Sequence, residues 1–544
     1  MKTHVAALTV LMWLSLASAP LRGQGPPITL MSFSESAGWT TAPSDGVRLA
    51  LTSEPTTSGR ALRFDFDFQG HAGYAVAHHA FALPALPPHW AMTLHVRGDA
   101  PPNTLEIKFI DSSGLNVWWM RRLALAPTPA GTTLRFRASD LSFAWGPLGG
   151  GPPRSIAALE IAITAGSGGR GWLALDNLVL IPLPAPVADN ARPLVQVSSV
   201  ASGTSASAII PADFARAPTR DVPASRAGWR SAGDAEQQIT LNFGGPRQLS
   251  GLALDWDTTD WATDYDVLRS DDGTRWTEVR ELRGGAGGRR FVHTPELETG
   301  WLRLALHRSS RGRGYRLDAV RLLSDSVART RSSFLEAVAG AEPMGSWPRA
   351  LTHQQSYWTI VGLPRDDRDA LVSEDGSIES HPGSFSIEPF LFADGKLLTW
   401  HDGRMAHSLD AGWRPIPSIR REASDLDLEI TALATGAPQH SVVWVRYRVV
   451  NRRPSARSAR LFAAIRPVQV NPPWQFLGVP GGAASIRKLE WSDDRVTVND
   501  SDVVVPVTHA SATGVVAFDA GNVVDALRSG SLPRAQRVTD PTRL

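Results

Sequence analysis

The chain contains no cysteine in 544 residues. That excludes a disulfide scaffold, a thiolate zinc site, a thiol nucleophile and a lipid-anchored cysteine. Lysine is scarce: it occurs only at 2, 108, 396 and 488, and the rest of the 55 basic residues are arginine. There is no run of like charge, and the net charge is +2. The arginine bias therefore reads as genome composition rather than a polyanion-binding surface, and nucleic acid is not an expected partner. Beyond the N-terminus no apolar stretch approaches the roughly 20 residues of a membrane span. His-Glu-x-x-His, Gly-x-Ser-x-Gly and P-loop patterns are all missing. His71 and His78-His79 have no carboxylate at ligand spacing, so no zinc site is expected there.

What is present is 42% apolar residues, 47 glycines and 40 prolines. This composition supplies large cores and many turns, and suits short strands better than long helices. At roughly 150 residues per domain the length allows three or four domains. Lys2 and His4 precede an apolar run from Val5 to Leu16, followed by Ala17-Ser18-Ala19. A charged start, an h-region of a dozen residues and small residues read as an export signal over 1–23, cut near Gly23 because Pro20 disfavours an earlier site. The expected location is periplasmic or extracellular. A cysteine-free exported protein leans on large cores or calcium for stability.

Three all-β segments follow: 28–184, 190–324 and 342–544. In the first, Leu62 to Phe68 alternates strictly, with Phe64, Phe66 and Phe68 on one face and Asp65 and Asp67 on the other. Thr93–Arg97, Leu105–Ile110, Leu134–Arg137, Leu159–Ile163 and Trp172–Leu180 read alike, with turns at Asp99-Ala100-Pro101-Pro102 and Asp111-Ser112-Ser113-Gly114. Such a series predicts a β-sandwich. In the second, Gln238–Phe243, Leu252–Trp256, Tyr265–Ser270, Trp301–Leu306 and Tyr315–Leu323 are strands, and Asp271-Asp272-Gly273 is a hairpin turn. Asp325 or Ser326 caps a short linking helix with Phe334, Leu335 and Val338 as its apolar stripe. In the third, strands are expected at 357–361, 385–392, 396–400, 426–433, 441–450 and 459–466. The fold class is all-β, with three successive sandwich or jelly-roll domains.

The second segment carries a resemblance. Ala227-Gly228-Trp229-Arg230-Ser231, Gln238 to Gly244, Leu254-Asp255-Trp256 and the Tyr265 to Trp276 run (Tyr-x-x-x-x-Ser-x-Asp-Gly-x-x-Trp) resemble a discoidin domain. That is the coagulation factor V/VIII type C family of galactose-binding-like jelly rolls. The resemblance implies packing roles for Trp229 and Trp276, and ligand loops at one end of the barrel. Trp261 with Asp257 or Asp260 forms the implied stacking and hydrogen-bonding site, completed by Arg311 and Tyr315. The ligand it implies is a glycan, a phospholipid or a protein. It also implies a structural Ca²⁺ between Asp221 and Asp318, although Val222 stands where the family pattern has glycine.

The first segment, ending in Trp172-Leu173-Ala174-Leu175-Asp176-Asn177-Leu178, is similar to other carbohydrate-binding jelly rolls. Trp118 and Trp119 are adjacent on a strand and face opposite ways, one core and one exposed. Trp145, in a Gly-Pro-rich stretch, is expected on a loop and is a further glycan-binding candidate. The third segment, through Ser384 to Phe390 and Arg466 to Leu477, resembles the β-sandwich preceding (α/α)6 toroids in bacterial glycosidase-like proteins. The toroid that bears the acid and base is then expected outside this chain. Glu374-Asp375, Glu379 and Glu388 crowd together, but acidic surface loops explain them better than a glycosidase pair. The expected function is recognition of a glycan or polysaccharide. The alternatives are the non-catalytic front of a glycosidase-like enzyme and an adhesion or scaffold protein.

Overall fold

A computed structural model describes residues 25–539 apart from 58, 84, 223–227, 367 and 439. The export signal, Ala227 and the last five residues lie outside the described residues. The chain divides into two compact units, 1–185 and 186–544.

The first unit pairs two six-stranded antiparallel sheets. One sheet runs in the order Arg48–Thr56, Gly59–Asp67, Arg170–Pro182, Trp90–Asp99 and Thr132–Arg137, with Ile28–Met31 also on Arg170–Pro182. The other runs Ser142–Trp145, Val117–Leu125, Asn103–Ile110, Ile156–Thr164, Tyr74–Leu83 and Trp39–Thr41. The alternation dictates which faces meet. Leu62, Phe64, Phe68, Met92, Leu94 and Leu175 of the first sheet pack on Ile107, Phe109, Met120, Leu159 and Ile161 of the second. Each fully buried side chain of this kind contributes roughly 1.5–3 kcal/mol. Asp65 and Asp67 stay outside the core, as their spacing predicts.

The second unit holds a seven-stranded sheet over 194–323 and three smaller sheets over 358–539. Two long strands, Gln237–Trp256 and Gly288–Ser309, run side by side with register breaks at Asn242/Arg247 and Leu249/Gly251. Extra residues at a bulge bend a strand, so Gln238–Phe243 and Leu252–Trp256 become parts of one bent strand rather than two. Ile239, Leu241, Leu252 and Leu254 thereby line one core with Trp229, Tyr265 and Leu304. Gly273 makes the expected tight turn at φ 73°, and a Cβ there would fall 2.9 Å from the Trp301 ring.

The linking helix is two helices. Asp325–Ala328 stops, and Arg331–Ala341 restarts behind Thr330, which accepts from Ser333 N in a capping box. Phe334, Leu335 and Val338 are buried as expected. They share one cluster with Ala253, Phe291 and Leu323 before the helix and Trp347, Leu351 and Val468 after it. Among the described residues no helix is long and apolar enough to cross a membrane.

Candidate functional site

On the second sheet of the first unit, cross-strand register composes a polar and aromatic outer face. Phe109 and Ile107 point inward, so Lys108 and Glu106 point out. Trp118 is buried, with its indole N–H on the Gly151 carbonyl at 2.6 Å, and Trp119 is the half-exposed member of the pair. Trp145 is not on a loop. It ends the edge strand Ser142–Trp145, where a bulge after Phe143 sets it opposite Val117. Trp145 is 51% exposed, and its ring stands edge-on to Trp119, centroids 5.8 Å apart at 86°.

Charged groups crowd this aromatic corner. Lys108 Nζ lies 5.8 Å from the Trp145 ring and pairs with Glu160 at 2.7 Å and Glu106 at 3.4 Å. Arg121 lies over Trp119 at 4.3 Å. Trp119, Lys108, Glu160 and His78 are successive cross-strand partners, with Ser142 and Thr40 at the two ends. The result is one continuous row across six strands. Sequence reasoning found Trp145 and the Trp119 alternative. It missed Lys108, Glu160 and His78, whose strand alternation was readable but whose pairing depends on long-range register.

In the second unit the expected loop residues do converge, but on one another. Asp260 is nearly buried and accepts from Arg311 Nη2 at 2.8 Å and Arg230 Nη2 at 3.3 Å. Asp257 Oδ1 accepts from Thr259 N, Thr259 Oγ1 and Asp260 N. Burial pushes the Asp257 carboxyl up, but these bonds and Arg316 outweigh it and hold its pKa below the ordinary value. Trp261 is half-buried, its indole N–H on the Gly285 carbonyl at 2.8 Å. Tyr315 is a correction: at 0% exposure it is a core residue and cannot reach a ligand. The Tyr265 to Trp276 hairpin closes through Ser270 and Asp272, whose side chains accept the turn's N–H groups.

Residues 196–317 match the F5/8 type C domain.

In this F5/8 type C domain Trp229 has the packing role expected, fully buried with its indole N–H on the Ser199 carbonyl. Trp276 does not. It lies half-buried on the surface under the Arg303 guanidinium, 3.7 Å from its centroid. No curated protein matches the chain. Similar solved structures include the family 11 carbohydrate-binding module of cellulosomal cellulase Lic26A-Cel5E of Clostridium thermocellum. It is 15% identical over 29% of this chain and 97% of that one, at a TM-score of 0.25. Chitosan-binding module 1 of a Paenibacillus sp. IK-5 chitosanase/glucanase is 22% identical over 25% and 98%, at 0.21. CpGH89CBM32-5 of Clostridium perfringens, in complex with GalNAc-β-1,3-galactose, is 14% identical over 26% and 100%, at 0.21.

The implied calcium pair does not fit the residues present. Arg316 Nε already holds Asp318 Oδ1 at 2.9 Å. Asp221 is exposed. Calcium requires six to eight oxygens, and no three His, Asp or Glu side chains converge as a ligand set among the described residues.

The acidic cluster of the third segment is not surface loop but interior. Glu379 is fully buried and accepts from Gly383 N, Val470 N and Asn471 N, while burial pushes its pKa up to about 7. Glu388 pairs with buried Arg466 at 3.1 Å, and Asp375 with Arg349 at 2.9 Å. Glu374 accepts from Tyr357 N. Each carboxylate is consumed by the fold, and a glycosidase needs two that face each other across a cleft.

Proposed function

We propose that this chain is an exported glycan-binding protein whose first unit takes an oligosaccharide across the Trp119–Trp145 face. The observation that carries this reading is the half-exposed Trp145 set edge-on against Trp119 at the end of a polar cross-strand row. An aromatic ring supplies a flat apolar surface for a pyranose face, and adjacent Lys108, Glu160 and Arg121 supply donors and acceptors for hydroxyls. Six strands at a spacing of about 4.8 Å make the row about 24 Å long. That length suits several linked sugars rather than one terminal residue. The F5/8 type C match at 196–317 agrees with this class of function. Its expected loop residues are tied up in the Asp260–Arg311–Arg230 cluster, so the first unit makes the primary contact. The test is titration of the full chain with soluble hexasaccharides of glucose, xylose and galactose. Binding that Trp145→Ala leaves unchanged would refute the assignment of this face.

The third segment supports a second reading, in which the chain is an accessory part of a glycosidase-like protein. Its sheets leave a cleft of about 1850 Å³ between them, walled in part by exposed Val442, Trp444 and Leu461. Under this reading the chain itself turns over no aryl glycoside. Turnover of an aryl glycoside by the unaltered chain would overturn it.

A further inference from the structure

We propose that the first unit carries a second glycan-binding groove, on the sheet opposite the Trp119 face and centred on Trp172. This inference rests on the glycan reading above. The groove has a volume of about 1160 Å³, and its walls include Trp172, Asp65, Asp67, Asp99, Arg48 and Arg170.

Register builds it. Trp172 is directly opposite Asp65 on one neighbouring strand and Asp99 on the other. Arg170 is opposite Asp67, which is opposite Arg48. Opposed residues in an antiparallel pair share a face. Leu173 and Leu175 point into the core, so this set points out.

The indole is fixed in advance. Arg63 stacks on it, its guanidinium carbon 4.2 Å from the ring centroid, and is itself held by Asp65 at 2.8 Å and Glu54 at 3.3 Å. Glu54 in turn pairs with Arg97 at 2.6 Å. Trp172 lines the groove and Arg63 does not. A ring already immobilised loses little further entropy on binding.

The remaining groups define the ligand. Asp99 and Arg170 face the groove with no side-chain hydrogen bond or ion pair to another described residue. With Asp65 neutralised by Arg63, Asp67 and Asp99 balance Arg48 and Arg170. A wall with both donors and acceptors, no net charge and one aromatic surface selects a neutral polyhydroxylated ring. Neighbouring hydroxyls of a hexose satisfy a carboxylate and a guanidinium together. The unit is then bivalent, with one site on each sheet.

Calorimetric titration of the full chain with cellohexaose, laminarihexaose, xylohexaose and galactohexaose tests this. Trp145→Ala should leave residual binding with one site fewer. Asp99→Ala and Arg170→Ala, at exposed side chains with no partner among the described residues, should keep the melting temperature, and each should remove one site while the Trp145 site still binds. Combining either with Trp145→Ala should abolish measurable heat. If Trp145→Ala alone abolishes binding, and Asp99→Ala, Arg170→Ala and Trp172→Ala keep the full stoichiometry, the groove is overturned and the glycan reading stands. If the unaltered chain binds none of the four, both fall.

Discussion

Trp261 and Gly287 are in contact that leaves no room for a side chain: a Cβ at Gly287 would fall 2.8 Å from Trp261 Cε3. Together with the indole N–H on the Gly285 carbonyl, this makes Trp261 a strut between two loops rather than an open stacking shelf. Removing a large, partly buried ring leaves a cavity and two loops without their shared contact. Trp261→Ala should therefore cost about 2–3 kcal/mol of stability, somewhat under the core range for aromatic truncation. Glycan affinity should stay the same. Denaturation and titration of the same variant separate the two roles.

Tyr315 allows a sharper test of the same loops. Its hydroxyl is buried without a hydrogen-bond partner among the described residues. Burial and the nearby Glu236, Asp234 and Asp264 raise its pKa, so it stays protonated. A buried unpaired polar group costs free energy, roughly 1–3 kcal/mol. Tyr315→Phe should leave stability equal or higher, and glycan binding unchanged. A loss of binding in this variant would return Tyr315 to the ligand site.

Trp145 should behave in the opposite way. Half its surface is already in water, so Trp145→Ala should barely move the melting temperature. If the ring is a stacking platform, affinity should fall by about 1–3 kcal/mol, the scale known for aromatic stacking on nucleobases. Lys108→Met should weaken binding less, because Glu106 and Glu160 hold the amine and leave it only partly free for a ligand.

These cases show how far the sequence could be read. Phe64, Phe66 and Phe68 alternate with Asp65 and Asp67, and a period of two needs no partner to be recognised. The same holds for the F5/8 type C hairpin, whose Asp-Gly turn is local. Cross-strand neighbours are different. Nothing near Trp119 in the chain reveals that Lys108 lies beside it and Glu160 one strand further on, because 52 residues separate Lys108 from Glu160 and only sheet order joins them. Tyr315 misled because a tyrosine beside a loop has the same local sequence whether it turns inward or outward. Burial there is decided by Leu317 and Trp229 packing around it in one core. Glu379 and Glu388 resembled surface acids for the same reason.

His293 predicts a pH dependence. It is buried against Phe334, ring centroids 4.6 Å apart, with Nε2 2.8 Å from the Ala328 carbonyl. Burial lowers its pKa from 6.5 to about 4. The folded value lies below the unfolded one, so between about 6.5 and 4 the unfolded chain binds the extra proton. Stability is fully present above pH 6.5 and falls as the pH drops through this window. A tenfold difference in proton affinity is worth about 1.4 kcal/mol, so the loss from this group should not exceed about 3 kcal/mol. His293→Gln keeps a donor for the Ala328 carbonyl and should flatten this limb in denaturation curves at pH 7, 6, 5 and 4.

Phe334 ties the F5/8 type C domain to the segment that follows it. Its ring meets Phe291 and His293 on one side, and Phe518 beyond the helix at 6.2 Å. Two domains joined only by a flexible linker unfold separately, whereas a shared core makes their unfolding cooperative. Phe334→Ala removes the common contact, at a cost of about 3–5 kcal/mol. The loss falls on both partners, because Leu323 and Trp347 share the same cluster. The expected result in calorimetry is that one transition for residues 186–544 splits into two, the later one close to that of the isolated F5/8 type C domain. Hydrogen exchange should rise together in Phe291–Thr294 and Trp347–Leu351. A single shifted transition, with exchange raised on one side of the helix only, would show that Phe334 stabilises one domain and does not couple two.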